Sequence, residues 1–158
     1  MVNLIWALAF IPLAWYLTLL LHETAHALVA VLQGNKVTEF APYWHWYDAV
    51  KKKVYFWWGK GRKFYFGRIS VSDGTPTYKE KFHRALAPFW KTILFTLIWG
   101  GILIGTGWWP ILTFLACELV DHFWFWRGWI WKCKDTDGFV CRGIAEKFTL
   151  SYLFSRSK

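Results

Sequence analysis

Twenty-nine consecutive residues, Leu4 to Leu32, are apolar apart from Thr18 and a cluster at His22, Glu23, Thr24 and His26. A helix of that length spans about 44 Å, more than the roughly 30 Å hydrocarbon core of a bilayer. It reads as a membrane span whose excess is absorbed by tilt or by a kink at Pro12, and Gly34-Asn35 supplies its stop. Two further apolar runs follow, at 85–104 and 111–130, separated by the uncharged turn Gly105 to Pro110. Met1-Val2-Asn3 carries no cationic stretch and no small-residue cleavage motif follows, so the first span is expected to stay in the mature protein.

Composition agrees. The chain of 158 residues is 56% hydrophobic and holds 14 Trp, a residue that favours the headgroup interface. A disordered chain is excluded, and a water-soluble globule is a poor fit. The formal charge is +9, with 11 of the 19 basic residues between Lys36 and Arg84. The turn between the second and third runs has none. The positive-inside rule then places the N-terminus outside and the 36–84 segment and C-terminal tail in the cytoplasm, against anionic lipid. Aromatic and basic residues interleave between 51 and 71, but the three apolar runs account for them without nucleic acid. Cys117, Cys133 and Cys141 are odd in number and lack zinc-site spacing.

The expected fold is therefore an α-helical integral membrane protein, one membrane-embedded domain over 1–158. Its helices are about 4–32, 85–104 and 111–130. Lys53-Val54-Tyr55-Phe56-Trp57-Trp58, the turn Gly59-Lys60-Gly61, and Arg62 to Val71 read as a β-hairpin at 53–71 between the first and second helices. An amphipathic tail helix is expected at about 139–154.

His22-Glu23-Thr24-Ala25-His26 is an H-E-x-x-H sequence. On a helix, positions i and i+4 share a face, so both imidazoles can reach one Zn²⁺, and Glu23 projects beside them as a general base for a metal-bound water. A catalytic zinc takes three protein ligands and keeps one position open. The third helix offers Asp121 at a matching depth, about 13 Å from that helix's inner end against about 15 and 9 Å for His22 and His26. Glu118 and His122 stand beside it, suited to orienting a ligand or stabilising a transition state. Buried in lipid, Glu118 and Asp121 together cost about 5–7 kcal/mol, against about 3–5 returned by the apolar residues of that run, so the acids need partners. The alternative pairs them with Lys91 or Arg127 as a structural network. His45 and His83 are isolated, and the Phe123–Trp126 run reads as lipid-facing packing.

The stretch His22 to Phe40, HETAHALVAVLQGNKVTEF, resembles the site-2 protease family of intramembrane zinc metalloproteases and related zincin-type membrane peptidases. Arg84-Ala85-Leu86-Ala87-Pro88 is similar to that family's A-G-P element. The resemblance implies zinc held by His22, His26 and a later Asp mapped onto Asp121, with Glu23 as base. The family's later motif usually carries Asn and Pro ahead of an Asp-Gly pair. Here Asp121 is followed by His122, whereas Asp137-Gly138 has the dipeptide but lies in a polar stretch, and so ranks below Asp121. The implied activity is hydrolysis of peptide bonds in membrane-associated or transmembrane substrates, with an extended substrate segment held on an edge of the 53–71 hairpin. The runner-up is a non-catalytic membrane scaffold or adaptor with a structural metal site closed by a fourth ligand. A small transporter lined by Glu118, Asp121 and Lys91 ranks last, because three short spans lack the broken-helix pair of such folds.

Overall fold

Pro12 sets the first break in the structure. It has no N–H for the carbonyl of Leu8, and its ring crowds that turn. The N-terminal apolar run is accordingly two helices, α1 (Val2–Ala9) and α2 (Ile11–Leu32), joined at Phe10. At the far end Gly34 adopts φ +83°, and Asn35 N–H reaches back to the Ala30 carbonyl at 3.0 Å, closing α2 with a left-handed cap. The computed structural model describes residues 2–42, 45–56, 68–72, 76–134 and 136–154.

A four-stranded antiparallel sheet follows: β1 (Lys36–Ala41), β2 (His45–Asp48), β3 (Lys53–Phe56) and β4 (Arg68–Ser72), in the order β3-β2-β1-β4. This replaces the expected 53–71 hairpin. β3 pairs with β2, Tyr47 opposite Val54, and β4 pairs with β1, Phe40 opposite Ile69. The turn between β2 and β3 is built by Asp48, whose Oδ1 accepts from the N–H groups of Val50 and Lys51, with Lys52 at φ 51°. The Gly59-Lys60-Gly61 turn lies outside the described residues. Local alternation marked strands here, but pairing went to partners on the other side of the sequence.

Helix α3 (Tyr78–Thr106) begins seven residues before the expected start because Thr77 and Glu80 form a reciprocal capping box. Helix α4 (Ile111–Trp131) matches expectation. The tail forms two short helices, α5 (Asp137–Ala145) and α6 (Leu150–Phe154), in place of one.

The chain is mostly helical, and two of its helices, α2 and α3, are long and apolar enough to cross a membrane. That corrects the expected three. Any stretch of α4 long enough to span includes Glu118, Asp121 and Arg127, and the two acids alone outweigh the insertion energy of its apolar residues. α4 instead packs against α2 and α3, which shelter its acids. Two apolar clusters flank them. Ala14, Ile111, Phe114 and Cys117 join α2 to the start of α4, while Phe82, Ala85, Phe125, Cys141, Ile144 and Leu153 join α3, α4, α5 and α6. His83 supports the second cluster, its Nε2 bonding the Leu153 carbonyl at 2.8 Å. The polar centre sits between the clusters.

Candidate metal centre

His22 and His26 lie one turn apart on α2, their rings 5.1 Å apart and edge-to-face. With Glu23 they offer three ligand atoms all within 4.8 Å of one another. What aims the rings is the hydrogen bond each makes at Nδ1. The Nδ1–H of His22 donates to Asp121 Oδ1 at 2.9 Å, and the Nδ1–H of His26 donates to the Arg84 carbonyl at 2.8 Å. The sequence itself keeps the usual helical donor from that carbonyl. Its helical partner would be the N–H of residue 88, which is proline.

With Nδ1 of each ring committed in this way, the Nε2 atoms turn to a single atom: Oδ2 of Asp137 lies 3.1 Å from His22 Nε2 and 3.3 Å from His26 Nε2. Protonated rings bond that carboxylate directly; neutral rings turn two lone pairs toward the same carboxylate, a set of three donors that suits a cation. Two ligands each about 2.0–2.1 Å from a tetrahedral zinc stand about 3.3–3.4 Å apart, which matches these separations. The donor set, two imidazoles and a carboxylate, is also the chemistry zinc takes in catalytic sites.

Sequence reasoning placed Asp121 in this position and Asp137 behind it. In the structure it is Asp137 whose carboxylate meets both Nε2 atoms. Asp121 does reach His22 at the depth expected, but on the Nδ1 side, as a carboxylate that orients the ring. Asp137 arrives because α5 folds back onto α4. Thr136 caps α5, accepting from Phe139 N–H and donating to the Cys133 carbonyl at 2.9 Å. Gly138 rests directly on the Phe125 carbonyl, where any Cβ would overlap the oxygen and lie 2.8 Å from Trp129 N. Gly128 accepts the Thr136 side chain in the same way. Arg142 then ties the two helices, its guanidinium donating to the carbonyls of Trp129 and Ile130 at 2.7 and 3.1 Å and so satisfying groups that the end of α4 leaves open. The signal for all this was the Asp137-Gly138 dipeptide behind a capping threonine.

Glu118 and His122 are held elsewhere. Glu118, 1% exposed, accepts from Lys91 Nζ at 2.8 Å and from Thr18 Oγ1 at 3.3 Å. Lys91 also donates to Asp121 Oδ2 at 2.8 Å, and Thr92 Oγ1 to the same oxygen at 3.0 Å. The Lys91 network, the alternative reading of these acids, is therefore present and touches His22 through Asp121. His122 stacks on Phe89 and accepts from Trp126 Nε1–H at 2.7 Å. Neither Glu118 nor His122 bonds to His22 or His26 among the described residues. Arg127 sits over the Trp124 ring instead of pairing with these acids.

Among the described residues that follow α4, three groups have displaced acidities. Burial by itself raises the Asp137 carboxyl, but the charges and hydrogen bonds of His26 and His22 hold it well below the usual carboxylate range. Burial pushes the Cys141 thiol far up, with the Asp137 charge adding to it. The hydrogen bond from Arg142 lowers exposed Glu146.

The centre opens on a cavity of about 1080 Å³ whose wall includes His22, Glu23, His26, Asp137 and, from the sheet, Ile69 and Val71. Glu23, 5% exposed, therefore has its carboxylate on the same space as the converging donor atoms. Comparison of the chain with protein-family models, with characterised proteins and with solved structures finds no match to any of them.

Proposed function

We propose that this chain is a membrane-embedded zinc metallopeptidase of the site-2 protease type, hydrolysing peptide bonds of membrane-associated or transmembrane substrates. The observation that carries the reading is the convergence of His22 Nε2 and His26 Nε2 on one Asp137 oxygen, with Glu23 alongside on an open cavity. His22, His26 and Asp137 would hold the ion. When bound, zinc supplies Lewis acidity toward a water molecule and a substrate carbonyl. Glu23 takes the proton from that water and delivers it to the departing amine, the role of a buried carboxylate beside a reacting centre. Asp121 and the Arg84 carbonyl keep both imidazoles in one tautomer through the cycle.

A structural metal site needs a fourth protein ligand, and the two residues offered for that part, Glu118 and His122, are engaged with other groups. The cavity favours catalysis for the same reason. A helical substrate must be opened into an extended segment before its peptide bonds are reached. β4 is an edge strand whose Ile69 and Val71 line the cavity, so β-augmentation along β4 holds such a segment beside the centre.

The membrane placement rests on exposure. Only 22% of the apolar window of either α2 or α3 is buried, and Leu32, Leu97 and Ile104 are 77%, 70% and 88% exposed. A soluble core helix hides such residues, and a lipid-facing one does not. On this reading charge asymmetry favours the N-terminus outside and the sheet in the cytoplasm, and α4, which runs back along the other helices from Ala14 of α2 to Phe82 and Ala85 of α3, returns the tail to the side of the sheet although it is too polar to insert alone.

Metal analysis of purified protein tests the reading, with about one zinc per chain expected and its loss on His22→Ala. In vesicles, cleavage of a model transmembrane substrate should vanish in Glu23→Gln while zinc stays. A well-folded wild-type protein that takes up no zinc would sink it.

A further inference from the structure

We propose that Lys91 is a positioning residue for the metal centre, its ammonium fixing the Asp121 carboxylate that orients His22. The inference rests on the zinc reading above. Lys91 is 7% exposed and reaches from α3 to two carboxylates of α4, Glu118 and Asp121, each at 2.8 Å. An ammonium at such depth is retained only where it has a task, because burying it is costly.

The bonds made by Asp121 identify the task. Its two oxygens share the His22 Nδ1–H, at 2.9 Å to Oδ1 and 3.1 Å to Oδ2, and Oδ2 also takes both α3 donors, Lys91 at 2.8 Å and Thr92 at 3.0 Å. The two α3 donors pin Oδ2 and stop the carboxylate from turning, so it keeps its face to the imidazole. Glu118 has a complementary part. It shares the Lys91 ammonium, so Asp121 is not that cation's sole acceptor and stays available to His22. Thr18 holds Glu118 from α2, so the same cluster also joins the three packed helices.

A purely structural account gives Lys91 the single duty of neutralising Glu118. Lys91→Met and the double variant Lys91→Met/Glu118→Gln separate the two. Each is made in the full chain, in detergent, and measured for melting temperature without metal, for zinc affinity by competition with a chromophoric chelator, and for the visible absorption of the Co²⁺-loaded form. The single variant should lose both stability and affinity. The double variant, which removes a charge of each sign, should regain the wild-type melting temperature within a few degrees. Its zinc affinity should stay about 10–100-fold low, the usual effect of disturbing a ligand's hydrogen-bonding partner, with an altered Co²⁺ spectrum. Wild-type affinity in the double variant overturns the inference. Should that variant not fold, Thr92→Val, which removes only the second donor to Oδ2, takes its place: a severalfold loss of affinity supports the proposal and an unchanged affinity overturns it. Wild-type protein that binds no zinc overturns the peptidase reading, and this inference with it.

Discussion

Gly138→Ala is the sharpest perturbation this molecule offers. The added methyl would overlap the Phe125 carbonyl oxygen and lie 2.8 Å from Trp129 N, and both are backbone atoms that no rotamer change can clear. Restoring van der Waals separation moves the start of α5 away from α4 by on the order of 1 Å. Overpacking of this kind costs about 1–3 kcal/mol, partly offset by up to about 1 kcal/mol from replacing a helical glycine with alanine. The effect on the centre is larger. Asp137 precedes Gly138 directly, and a 1 Å retreat takes its oxygen out of shared reach of His22 and His26, when metal sites tolerate about 0.2 Å. Zinc affinity should fall by about a hundredfold or more, beyond what loss of an outer hydrogen-bond partner produces, and cleavage by at least about a hundredfold. Gly143→Ala is the internal control, because nothing lies within 4 Å of a Cβ there and the position belongs to the same helix. It should hold or raise the melting temperature by the helix-propensity gain and leave zinc untouched. Chelator competition and a thermal melt on both variants suffice. Wild-type affinity in Gly138→Ala, or equal damage from Gly143→Ala, would show that the α4–α5 contact does not place Asp137.

Further outcomes follow from the same geometry. Asp137→Ala should abolish stoichiometric zinc, whereas Asp121→Asn should weaken it about 10–100-fold; metal analysis showing the reverse order would return Asp121 to the ligand set. Pro88→Ala restores an N–H that competes for the Arg84 carbonyl. It should keep or raise the melting temperature, since an internal proline costs a helix about 3 kcal/mol, while lowering zinc affinity severalfold; unchanged affinity would mean His26 needs no such anchor. Glu23→Gln should retain zinc and lose about 10²–10⁴-fold in turnover, and activity near wild type would remove Glu23 from the chemistry. Burial holds the Cys141 thiol protonated far above neutrality, so the thiolate that alkylates is absent and iodoacetamide at pH 8 should label Cys133 before Cys141. Fast labelling of Cys141 would mean that α5 does not stay docked.

Much of this was legible in the residues. Spacing on α2 put His22 and His26 on one face with Glu23 beside it, and depth arithmetic brought a carboxylate of α4 to His22. Periodicity cannot say which ring nitrogen a carboxylate meets, and that choice separates Asp121 from Asp137. Asp137 stood in a polar stretch beyond the apolar runs, and nothing local announces that α5 turns back. The contact responsible is a glycine against a carbonyl 13 residues upstream. The sheet went astray for a similar reason. The alternation around Tyr55 marks extended chain truly enough, but the match of Val37 with Val71 and Phe40 with Ile69 is long-range. The acids of α4 were correctly marked as too costly to stand alone. Their lysine partner was named only as an alternative, and that the same lysine also reaches the histidine's carboxylate is tertiary information.

His22 and Asp137 are 115 positions apart. A ribosome delivers the histidines, inserts α2 and α3, and extends through α4 before the last donor exists. A nascent chain therefore carries an incomplete donor set while it passes among other unfolded segments. If the chain is the peptidase proposed above, those segments resemble its substrates, competence would begin only when α5 docks, and translation itself would act as the safety interval that a removable propeptide provides elsewhere.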